Sequence, residues 1–227
     1  MQVFTGILLL IVIVIIHELG HALACILIGV KVNKFQVFFG RSIYSFKNKY
    51  LTEIGIGWIP LGGYVLPDEK SLNEKSLLKR IFMYTAGVLA NLISASVVWL
   101  CMGKGIDAIL VPFGSALYVF FGFPYIVYTL IFGKVAVKSA DIGGPVMVVK
   151  MLKGWGGFAF ISWNIAIMNI MPILPLDGGH VVAGFVRKLL PQKYADPLLW
   201  AYQTFGIVML FLLMAYCIGL DISRLVK

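Results

Sequence analysis

Residues 3–30 read VFTGILLLIVIVIIHELGHALACILIGV, an apolar run whose only charge falls in the pentad His17-Glu18-Leu19-Gly20-His21. About 20 helical residues cross the hydrocarbon core of a bilayer, so the run predicts a membrane-spanning helix. Ionisable groups inside such a helix are costly and as a rule functional. Positions four apart on a helix are separated by about 40° and 6 Å, so the two imidazoles share one face. That spacing suits two ligands of one zinc ion, with Glu18 beside them to take a proton from a water that the metal activates. The ordinary alternative is a pair of core histidines hydrogen-bonded to a neighbouring helix.

Outward from this helix the chain stays apolar. Of its 227 residues 60% are hydrophobic and 13% charged, against roughly 25% charged in a soluble domain, which excludes a water-soluble enzyme. Mean hydropathy is +0.95. An all-α polytopic membrane protein is expected, with spans at about 3–30, 81–102, 154–176 and 198–220. A further apolar segment, 108–133, carries Pro112 and Pro124 and is expected to be interfacial or re-entrant. The first run has no basic leader and no small-residue cleavage site, so a cleavable signal peptide is not expected. The net charge of +9 does not imply nucleic acid: nine of the 19 basic residues lie between Lys31 and Arg80, as in a cytoplasmic loop beside anionic lipid. The three cysteines, Cys25, Cys101 and Cys217, sit in separate apolar runs without metal-type spacing. Both termini are then expected outside. This follows from placing 108–133 in the interface, which returns residue 177 to the depth of the histidines.

A catalytic zinc takes three protein ligands and leaves one position open. The candidate third ligand is Asp177, in Pro172-Ile-Leu-Pro-Leu-Asp-Gly-Gly-His180, where two prolines end a membrane helix and a carboxylate follows. Asp177 could instead cap the next helix, and His180 is a rival ligand. In the basic loop, residues 50–66 alternate loosely and carry glycines at 55, 57, 62 and 63. They read as a short β-hairpin or loop sheet able to add a substrate strand, or as a plain loop. A membrane metal transporter and a non-catalytic binder of membrane helices are the competing functions; neither has a use for Glu18 as a base.

HELGH, Pro-Leu-Asp-Gly-Gly at 175–179 and Pro60-Leu-Gly-Gly-Tyr-Val65 together resemble the site-2 protease family of intramembrane zinc metalloproteases, and more closely the bacterial regulator-of-sigma-E proteases. Further matches are Ala86-Gly-Val-Leu-Ala-Asn91, Gly144-Pro-Val146, Ser162-Trp-Asn164, Asn169-Ile-Met-Pro172 and Asp221-Ile-Ser-Arg-Leu225. The resemblance implies one zinc per chain on His17, His21 and Asp177, Glu18 as general base, and substrate binding by Asn164, Asn169, Gly62 and Gly63. It implies a multi-pass protein of the bacterial cytoplasmic membrane that cleaves single-span membrane proteins, such as anti-sigma factors or signal-peptide remnants. A separate regulatory or adaptor protein is a further expected partner. Three departures stand out. Val88 replaces a usual proline, Pro175 sits one place late, and the PDZ domains usual between the second and third matched spans are missing.

Overall fold

A computed structural model of the chain describes residues 2–47, 52–105 and 153–226. The expected interfacial segment 108–133 and the Gly144-Pro-Val146 match lie outside them. The first helix, α1 (Gln2–Leu27), is followed by strands β1 (Val32–Phe46) and β2 (Ile54–Pro67), then a short helix α2 (Glu69–Asn73) and a long one, α3 (Leu77–Cys101). Beyond residue 153 come α4 (Gly154–Ile170), α5 (Asp177–Leu189) and α6 (Gln192–Val226).

Three of these helices are long and apolar enough to cross a membrane: Phe4–Leu27, Leu77–Cys101 and Gln192–Ser223. The fourth expected run, 154–176, forms a shorter helix. With 17 residues, α4 is about 26 Å long, less than the roughly 30 Å of a hydrocarbon core. It stops at Ile170 because Met171 precedes Pro172, and a residue before proline is driven out of the helical region. Apolar residues continue to Leu176, but as an irregular turn. The other boundaries also move: α3 begins at Leu77 rather than 81, and α6 begins at Gln192 and runs helically through Pro197. Val88 lies within α3, which is continuous from Leu77 to Cys101.

α1 ends in a Schellman turn. Gly29 adopts φ +70°, its amide reaches Ile26 O, and Val30 N reaches Cys25 O at 2.8 Å. That reversal feeds β1, so the sheet starts directly beneath the helix that carries the histidines. β1 and β2 pair antiparallel, but both bend sharply, so that Phe35–Val37 partners Ile54–Ile56 on one side and Gly63–Val65 on the other. The bend falls at Phe38 and Gly40, both with positive φ. A fully buried amide holds it: Gln36 Nε2 donates to Phe38 O and Gly40 O, while Oε1 accepts from Ser42 Oγ and Tyr64 Oη. The sheet is therefore larger than the hairpin expected at 50–66, since 32–46 forms half of it.

α3 is the central packing surface. Gly20 of α1 lies so close that a methyl there would come within 2.5 Å of Ala86 O and 2.8 Å of Ala90 Cβ. On the opposite side Ala95 packs with Ala159 and Trp163 of α4. Small residues at these crossings let backbones approach where lipid gives no hydrophobic drive to associate. Apolar side chains such as Phe4, Leu23, Ile93, Phe205 and Phe211 point outward and are exposed, as lipid-facing residues should be.

Candidate metal centre

Three ligand-type atoms converge where α1, α3 and the start of α5 meet. His17 Nε2 and His21 Nε2 are 3.2 Å apart. Asp177 Oδ2 lies 3.1 Å from the first and 3.3 Å from the second. Ligands held about 2.0–2.2 Å from a tetrahedral zinc are separated by roughly 3.3 Å, so this near-equilateral triangle has the size that the metal requires. Donor chemistry agrees, with two imidazole nitrogens and one carboxylate oxygen. Asp177 Oδ2 is buried and accepts no other hydrogen bond among the described residues. The set fits a zinc ion. Among the described residues this is the group of His, Cys, Asp and Glu that could hold one, and His180 is not in it.

Two elements position the three side chains. The two histidines follow from the i, i+4 register of α1, and both are buried. Asp177 is the first residue of α5, whose cap is Leu176 without a side-chain cap bond, so the carboxylate is free to face the histidines. The turn that delivers it is clamped from two sides. Cβ atoms at Gly178 and Gly179 would collide with backbone atoms of Ile170, Met171, Ile173 and Leu174, so α5 rests directly on the break. From α6, Tyr202 Oη donates to Pro172 O, and Leu199 packs with Leu174 and Ala183.

The imidazole edges away from the triangle meet α3. His21 Nδ1 is 2.8 Å from Met83 O, and His17 Nδ1 is 3.3 Å from the side-chain amide of Asn91. Between these two positions lies Gly87, where a Cβ would collide with His21 Nε2 and stand 2.8 Å from His17 Nε2. Residues 83, 87 and 91 thus occupy one face of α3 at successive turns: a hydrogen-bonding group, a gap and another hydrogen-bonding group. Asn91 and Gly87 belong to a quoted motif match, but nothing in the sequence assigned them to the histidines. The spacing of four was the available signal.

A cavity of about 1120 Å³ opens on the triangle and contains Glu18, Gly62, Gly63 and Asn169. Gly63 runs against the acid: a Cβ there would stand 3.0 Å from Glu18 Cγ and 2.9 Å from Gln36 O. Asn164 and Asn169 sit on a regular stretch of α4, and each donates to the carbonyl four residues back, Phe160 O and Ile165 O. Of the pair, Asn169 lines the cavity among the described residues and Asn164 does not. His180 also borders the cavity, its ring stacked on Tyr84 with centroids 5.3 Å apart.

The sequence pattern of peptidase family M50 matches residues 5–213, a range that contains all three converging side chains. The chain belongs to peptidase family M50. It is 41% identical over 96 residues to a regulator of sigma E protease of Haemophilus influenzae, covering 37% of this chain and 22% of that one. Against Protease RseP of Yersinia pestis the identity is 33% over 111 residues, covering 43% and 25%. The chain therefore spans a quarter or less of the length of these two relatives. A candidate zinc metalloprotease of Clostridium acetobutylicum is matched almost end to end, 89% of this chain and 92% of that one, at 24% identity.

Proposed function

We propose that this M50 protein is an intramembrane zinc metalloprotease of the bacterial cytoplasmic membrane that cleaves the membrane segments of single-span proteins. The observation that carries the reading is the triangle of His17, His21 and Asp177 with Glu18 on the wall of the same cavity. A zinc ion held there supplies Lewis acidity, making a water more acidic and a peptide carbonyl more electrophilic. Glu18 takes the proton from the attacking water at its carboxylate and returns it to the departing amine. Gly62 and Gly63 present backbone beside that carboxylate with no side chain between, which leaves room for an extended substrate to pair along β2. Asn169, on the cavity wall, offers a side-chain amide to the unwound substrate backbone.

The meeting of Asp177 with the α1 histidines supports a topology in which α4 enters the membrane from the outer side. The basic stretch 31–80 is then cytoplasmic and both termini are outside. Lipid surrounds the exposed helix faces, and a regulatory or adaptor protein acts as a separate partner. The reading is tested by purifying the chain and its Glu18→Gln variant in detergent, then measuring bound zinc and cleavage of a single-span substrate. Zinc retained by both with cleavage lost only in the variant is the expected result. Undiminished cleavage by Glu18→Gln would refute the assignment, and so would a wild-type protein that takes up no zinc.

A further inference from the structure

We infer that Asn91 is a positioning residue that selects the metal-binding tautomer of His17, through its side-chain carbonyl accepting a proton from His17 Nδ1. This rests on the zinc reading above. A neutral imidazole carries one ring proton, and its place is set by the hydrogen bond that the other nitrogen makes. For His21 the choice is forced. Met83 O can only accept, so the proton sits on Nδ1 and Nε2 turns a lone pair to the triangle. His17 has no backbone carbonyl in that role; its Nδ1 stands 3.3 Å from Asn91 Nδ2, so the amide as placed turns its nitrogen to the ring. In that placement Nδ1 accepts, and the ring proton sits on Nε2 and blocks it as a ligand. A half-turn of the amide brings Oδ1 to the ring instead; Nδ1 then keeps the proton and both histidines offer matching lone pairs. The two ends of an amide exchange by rotation without change of shape, so the contact serves either state.

Three features single out Asn91 for this role. It is fully buried, with 0% exposure, in an apolar interface where a polar side chain needs a reason. Its Oδ1 makes no hydrogen bond among the described residues, so an unused acceptor lies one half-turn of the amide from the ring. Its backbone is tied to α4 by Ser162 Oγ, which donates to Asn91 O at 3.1 Å, so the side chain starts from a fixed point.

The test uses the full chain in detergent with zinc alone as the probe, and measures affinity by competition with a chelator. Asn91→Leu keeps the branched outline of the side chain, with somewhat greater bulk, and removes the acceptor; it should weaken zinc binding tenfold to a hundredfold, on the order seen when partners of metal-ligating histidines are lost. Asn91→Asp keeps an acceptor and should stay within about threefold of wild type by the same reasoning. A role in packing alone predicts the reverse, since leucine suits a buried helix face and a carboxylate does not. Leucine at wild-type affinity, or aspartate as weak as leucine, would overturn the inference. A second measurement needs no variant: ¹⁵N-histidine spectra of the zinc-loaded wild-type protein should show both ligand rings protonated at Nδ1. A His17 ring protonated at Nε2 would also overturn it. Failure of the wild-type protein to bind zinc would instead remove the metal reading itself, so the two failures are distinguishable.

Discussion

Replacing Gly87 by alanine adds one methyl where α3 faces both histidines of the triangle. That methyl would stand 2.8 Å from His17 Cε1 and Nε2, and closer still to His21 Nε2. Reaching an ordinary contact of 3.4 Å requires each ring to retreat by at least roughly 0.6 Å. Neither ring can retreat freely, because each is held at Nδ1 by a residue of the same α3 face, Met83 O or Asn91. Zinc sites tolerate ligand displacements of about 0.2 Å, a third of that demand. Zinc affinity should therefore fall by at least about tenfold, and overpacking should cost about 1–3 kcal/mol of stability. Chelator competition reads the first quantity, and thermal unfolding of the metal-free protein reads the second. Gly105→Ala is the control, since a Cβ there meets nothing within 4 Å among the described residues. Wild-type zinc affinity in Gly87→Ala would refute the reasoning, because it would mean that the rings are not pinned where the helix face holds them.

Asp177→Ala should abolish cleavage and release zinc, whereas His180→Ala, whose ring rests on Tyr84, should leave zinc content unchanged by metal analysis. If the two outcomes were exchanged, His180 would be the third ligand. Gly63→Ala places a methyl 3.0 Å from Glu18 Cγ, so kcat/KM should fall about tenfold or more, equivalent to about 1.4 kcal/mol, with zinc retained. A variant cleaving at the wild-type rate would show that substrate does not pass between β2 and Glu18.

What could be read from the sequence was local. His17 and His21 share a face because a helix repeats every 3.6 residues, and the pentad lies within an unmistakable apolar run. Asp177 was found from the proline break before it, which the structure reproduces as the turn between Ile170 and Asp177. Asn91 was out of reach. Its contact with His17 joins residues 74 apart, and no local pattern encodes which helix face meets which. The strand Val32–Phe46 was also missed. It bends at Phe38–Gly40, and beyond the bend it exposes Ile43, Tyr44 and Phe46, so the in-out alternation that marks a strand is lost. The shortness of α4 was hidden because hydropathy counts Met171–Leu176 as apolar without seeing that proline has ended the helix.

The clamp on the turn at residues 171–176 has a consequence for how the protein is made. The histidine pair and its α3 face come from the first 101 residues, while Asp177 reaches them only once α5 has settled on Gly178 and Gly179 and α6 has braced Pro172. During synthesis the nascent chain therefore carries the two histidines of the triangle well before the carboxylate that completes it. The three side chains are divided between α1 and α5, so the triangle closes only after the chain has been made through residue 177.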